Sequence, residues 1–150
     1  RLFAAALKLP FDPGAAVPEL IAPGLDGMGE RLVRMSLDLL DDDQVRADIL
    51  RLARSDAATA LGPDSNAPGM GQLRALSDFF HVTVIDRVVS AMGVPDARTR
   101  MALISSYLLG VTATRSVMRL EPLASASREE LVALMAPAVQ ALLDPTVTRP

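Results

Sequence analysis

An all-α helical bundle of about six to seven helices is predicted by three observations. Apolar residues recur at intervals of three and four through most of the chain, no period-two alternation is sustained, and β-branched residues are scattered. Glycines and prolines fall in groups that separate the periodic stretches. With 150 residues, half of them apolar and 22% charged, the chain is predicted to form one packed domain, 1–150, around a single core.

The elements follow in order. Arg1 to Lys8 consists of strong helix formers and ends at Pro10 and Pro13, since proline lacks an amide donor and clashes with the preceding turn. Ala15 to Ala22 predicts a short turn of helix, and Pro23-Gly24 with Gly27-Met28-Gly29 predicts a loop. From Glu30 to Leu40, Leu32, Met35 and Leu39, with Val33, Leu37 and Leu40, oppose Arg31, Arg34, Asp38 and Asp41, an amphipathic helix. Asp42 or Asp43 can cap the next helix, whose stripe is Val45, Ile49 and Leu52. Ala57 to Gly71 holds too many breakers for a regular element and reads as the longest loop. Leu73, Leu76, Phe80, Val84 and Val88 then keep helical spacing until Gly93 and Pro95.

Asp96 can cap a helix running to about Leu120, in which apolar residues surround the axis instead of tracing one stripe. Such a helix must be covered on more than one side. Ser127-Arg128-Glu129-Glu130 is a capping box, in which hydroxyl and carboxylate satisfy each other's free amides. It opens a last helix to Leu143, inside which Pro137 predicts a kink or a local break.

Composition excludes several chemistries. Without cysteine there is no disulfide framework, thiolate metal site or cysteine nucleophile, and one histidine, His81, leaves no multi-histidine metal centre. An enzyme is disfavoured, and no cofactor is called for. A net charge of −3 opposes nucleic-acid binding by this chain alone. The uncharged run from Met101 to Thr114 is shorter than a bilayer span and reads as a buried helix. With no secretory signal pattern, a cytoplasmic location is expected. Arg1 is not an initiator Met and Leu2 to Leu7 reads as mid-helix, so a segment is expected to precede it.

Three constellations have both a structural and a chemical reading. Asp41-Asp42-Asp43 is similar to the Asp-rich magnesium motif of prenyl-transferring helical enzymes, but Val45, Arg46 and Ala47 stand where a second carboxylate is needed. A solvated helix end with capping acids is the preferred reading. His81 shares a polar stripe with Arg74 and Asp78, an ordinary helix-surface grouping that could also face a ligand. Ser105, Ser106, Gly110, Thr112 and Ala113 make the penultimate helix small along part of its surface, so that another helix can approach closely, from the same chain or a second subunit.

Two stretches resemble the TetR family of transcriptional repressors. Leu108-Leu109-Gly110-Val111, Arg115 and Arg119-Leu120-Glu121-Pro122-Leu123-Ala124, followed by Glu130 to Pro137, are similar to the last two helices and connector of its actinobacterial-type branch. Arg1 to Leu7 is similar to the start of the helix that follows the family's DNA-recognition helix. The resemblance implies a C-terminal regulatory domain, with residues 1–9 beginning the helix that connects to an N-terminal helix-turn-helix unit outside this sequence. DNA would be contacted only through that unit. It further implies a homodimer paired through the last two helices, for which Leu109, Ala113, Ser116, Leu134, Ala138 and Leu142 are the candidates. A small hydrophobic effector would enter the core and shift the dimer between geometries. Inward stripes of the central helices offer Met35, Leu39, Leu52, Phe79, Phe80, Val84 and Tyr107 as lining, with Ser106 or the Tyr107 hydroxyl orienting the effector. The alternative from another class is a stand-alone helical protein-interaction module with no internal ligand.

Overall fold

The computed structural model describes residues 13–48, 50, 51, 54 and 78–143. Among these residues there are six helices and no strand. They are α1 (Pro13–Ile21), α2 (Met28–Leu40), α3 (43–48), α4 (78–92), α5 (Ala97–Thr112) and α6 (Arg128–Leu143). α4 contains a π-helical turn, His81–Ile85, and α5 runs on into a second one, Ala113–Val117. The expected helix at residues 1–9, the loop from Ala57 to Gly71, the start of the long helix at Leu73 and the pocket candidate Leu52 lie outside the described residues.

Local chemistry sets most of the ends. Gly27 precedes α2 at φ +67°, a left-handed conformation that glycine adopts without a Cβ penalty. Gly93 closes α4 in the same conformation. Asp42 caps α3 by accepting from the amides of Gln44 and Val45, each at 2.9 Å. At the start of α6 the capping box is complete: the Ser127 amide donates to Glu130 Oε2 at 2.7 Å and the Glu130 amide to Ser127 Oγ at 3.2 Å. Asp96 instead makes no side-chain cap bond, and its carboxylate accepts from Arg100 Nε at 2.9 Å. The predicted break at Pro137 does not occur. α6 is one continuous helix, because proline removes a single ladder bond while Leu131, Val132, Met135, Val139 and Leu143 stay buried along its length.

The core takes Val17 and Leu20 from α1, Met28, Leu32, Val33 and Leu37 from α2, and Val84, Val88 and Met92 from α4. Ala97, Met101 and Ile104 of α5 and the buried stripe of α6 complete it. Among the described helices the most extensive pairing is α2 against α6. The two run antiparallel, with Gly29 beside Gln140 at one end and Asp38 beside Arg128 at the other. Gly29 lets the backbones meet: a Cβ there would stand 2.7 Å from both the Ala136 carbonyl oxygen and the Gln140 nitrogen. Gln140 locks this end, its Oε1 accepting from the Gly29 amide at 2.9 Å and its Nε2 donating to the Leu25 carbonyl at 3.0 Å. Arg100 Nη1 ties α5 to α6 by donating to the Leu142 carbonyl at 3.0 Å. No described helix is long and apolar enough to cross a membrane.

Candidate functional site: the uncovered face of the last two helices

Both α5 and α6 are apolar around much of their circumference, but the bundle covers only one side of each. In α5 the buried positions are Ala97, Met101, Ile104 and Thr112, while Leu103, Tyr107 and Leu109 are exposed. Leu109 is 57% exposed and Leu134 of α6 76%, so each leaves more than half of its possible burial unrealised in its own fold. Around Leu134 the small apolar residues Ala133, Pro137, Ala138 and Ala141 are also exposed. At the end of the second π-helical turn and just after it, Val117, Met118 and Leu120 are exposed as well. Exposed apolar residues that form one contiguous patch are the kind of surface that marks an interaction site, whereas scattered ones are not.

The six interface candidates divide by exposure. Leu109, Leu134 and Ala138 stand on the surface, Ala113 and Ser116 are half-buried, and Leu142 packs against the core. The Ser116 hydroxyl turns inward, donating to Asp41 Oδ1 at 3.2 Å. Leu103, Val117 and Met118 were readable as apolar residues of a helix needing cover on more than one side, yet they are missing from the sequence-based interface set; so is Leu120.

The pocket candidates also separate. Val84 belongs to the core, and Met35 and Phe80 pack against it. Phe79 meets Phe80 edge to face, with ring centroids 5.5 Å apart and planes at 77°. Leu39 is half-buried on α2. Ser106 and Tyr107 are not part of this group. They stand on the exposed side of α5, with Ser106 Oγ donating to its own helix at the Ala102 carbonyl, 2.8 Å away. An apolar helix does not declare by pattern alone which side is inward, and here the buried side is that of Met101 and Ile104.

The polar surroundings are ion pairs that lie across α2 and α6. Arg34 donates through both terminal nitrogens to Glu129, at 2.9 Å each, and through Nε to Glu30 at 2.8 Å. Arg128 pairs with Asp38. The Arg34 bonds hold the Glu129 carboxyl below the ordinary carboxylate range, and the Ser127 amide and hydroxyl do the same for Glu130. The three acids after α2 serve three separate purposes: Asp41 accepts from Ser116, Asp42 caps α3, and Asp43 pairs with Arg46. Among the described residues no group of three or more His, Asp or Glu side chains could hold a metal ion. The His81 side chain is outside the described residues.

Residues 26–143 match one protein family, described as the tetracyclin repressor-like C-terminal domain. No curated protein and no solved structure matches the chain.

Proposed function

Since the chain belongs to the tetracycline repressor-like family through its C-terminal domain, we propose that it is the regulatory domain of a transcriptional regulator. It pairs with a second copy across α5 and α6 and answers to a small hydrophobic effector. The uncovered apolar face of these two helices carries the reading. A second observation on that face points to a close neighbour. Gly110 lies in the interior of α5, where glycine costs about 1 kcal/mol relative to alanine, and a Cβ there would meet nothing within 4 Å among the described residues. Nothing among the described residues of the protomer requires that glycine, whereas a helix of a second copy crossing near it would.

Leu109, Leu134 and Ala138 form the contact, with Ala113 beside them. Ser106 and Tyr107 join it from the exposed side of α5, and Leu103 extends it. Effector contacts fall to Met35, Phe80 and Val84, with Phe79 and Leu39 adjacent, where polarizable and aromatic side chains meet at the core. Binding there favours one relative orientation of the two copies, and so sets whether helix-turn-helix units joined to them match the two half-sites of an operator. The chemistry is recognition and not catalysis.

Sedimentation equilibrium tests the pairing. The wild-type chain is expected to be a dimer at micromolar concentration and Leu134→Arg a monomer of unchanged helicity. A wild-type chain that is monomeric at tens of micromolar would overturn the proposal. Thermal shift against a panel of apolar small molecules tests the effector: stabilisation is expected in the wild type and its loss in Phe80→Ala. A dimer that no such molecule stabilises would favour the interaction module instead.

A further inference from the structure

One carboxylate joins three pieces of the fold. Asp41 ends α2, its amide donating to the Leu37 carbonyl at 2.9 Å. Its Oδ1 accepts from Ser116 Oγ at 3.2 Å and lies 3.6 Å from Arg115 Nε. Arg115 Nη1 in turn donates to the carbonyls of Leu123, at 3.1 Å, and Ala126, in the connection that leads to α6. The Arg115 side chain is 18% exposed and that of Asp41 33%, so water screens this pair less than it screens the outer ion pairs.

Arg115 and Ser116 belong to the π-helical turn Ala113–Val117, in which the Met118 amide reaches back to the Ala113 carbonyl at 2.9 Å. Such turns occur singly and carry one residue more than an α-helical turn. Slipping to α-helical bonding would rewind the turn itself, shifting its residues and the start of the connection after it by up to about 100° around the helix axis. That rotation would carry Arg115 and Ser116 away from Asp41 and turn Val117 and Met118 off the uncovered face.

We propose that Asp41 is a positioning residue for the subunit contact. It holds the π-helical turn in the register that presents Ala113, Val117 and Met118 to a second copy. It is also where a displacement of α2, the helix that carries Met35 and Leu39, reaches that contact. The proposal rests on the dimer reading above.

The test compares the dimer dissociation constants of wild type, Asp41→Asn, Ser116→Ala and, as control, Arg34→Gln, by sedimentation equilibrium, with amide hydrogen exchange followed at residues 113–120. Asp41→Asn is expected to weaken the dimer about tenfold and to speed exchange at Met118 and Leu120. Ser116→Ala, which removes one hydrogen bond and no charge, should act in the same direction by roughly threefold. Arg34→Gln, which cuts the exposed tie between α2 and α6, should leave both readouts unchanged. A wild-type dimer indifferent to Asp41→Asn, or weakened equally by Arg34→Gln, overturns the role of Asp41 alone. A wild-type monomer overturns the dimer reading and this proposal together.

Discussion

Replacing Gly29 by alanine sets two effects of opposite sign against each other, and the structure decides between them. Alanine in a helix is favoured over glycine by about 1 kcal/mol. At this position, however, the added methyl would stand 2.7 Å from Ala136 O and Gln140 N and 2.9 Å from Gln140 Cβ. Ordinary contact begins at 3.4 Å, so α2 and α6 must part by about 0.7 Å. The obstructing atoms are mainly α6 backbone, which cannot swing aside. Overpacking of this kind costs about 1–3 kcal/mol. Separation also stretches the bonds from the Gly29 amide to Gln140 and from Gln140 to the Leu25 carbonyl, each worth about 1 kcal/mol. The net expectation is a loss of roughly 2–4 kcal/mol, or a fall in Tm of about 5–15 °C for a chain of this size. Thermal and urea unfolding followed by circular dichroism measure it, at fixed protomer concentration because pairing raises Tm. Gln140→Ala, which removes both bonds without the steric clash, should lose about 1–2 kcal/mol. A Gly29→Ala protein as stable as wild type or more so would show that helix propensity governs the site and that α2 and α6 do not approach this closely.

Three further outcomes are expected. Ile104→Ala empties a fully buried site and should lower stability by about 2–5 kcal/mol, seen as a shifted urea midpoint with an unchanged slope. Ser127→Ala should cost about 1 kcal/mol and let the Glu130 carboxyl titrate nearer its ordinary value, which carbon-detected NMR would register. Glu129 and Glu130 have folded-state pKa values below their unfolded ones, so their contribution is present above the ordinary carboxylate range and fades as pH falls through the folded values. Unfolding of the double variant Glu129→Gln/Glu130→Gln should therefore depend less on pH below about pH 4.5 than that of wild type, and equal slopes would refute the assignment.

What the sequence discloses here is what neighbours in the chain decide. The capping box at Ser127 and Glu130, the Asp42 cap and the stop at Gly93 need only residues three or four apart, and each is present as read. The α2 stripe is legible for the same reason, because one polar face excludes every other orientation. α5 has no such polar face, so Ser106 and Tyr107 could be placed in an interior pocket by pattern while the fold sets them outside. The π-helical turns are invisible locally, since their register depends on partners such as Asp41 and Ser116, 75 residues apart. Asp41 itself reads as one of three wet acids until the end of α5 is brought against it. Pro137 shows the converse: a local signal for a break is overridden by five buried side chains that keep α6 continuous through it.

Proline at 137 also leaves a mark on the outside of α6. The Ala133 carbonyl, one turn earlier, has no amide hydrogen to receive from residue 137, and Ala133 lies on the exposed side of the helix beside Leu134. In the free protomer water can take the place of the missing Pro137 amide. If a second copy covers this face as proposed, a surface of hydrocarbon alone would strand that carbonyl at a cost of about 1–3 kcal/mol. A covering surface that brings a hydroxyl or amide donor, or retains a bridging water, opposite Ala133 would be favoured. In the proposed pairing, apolar area would supply the adhesion and the Ala133 carbonyl the selectivity.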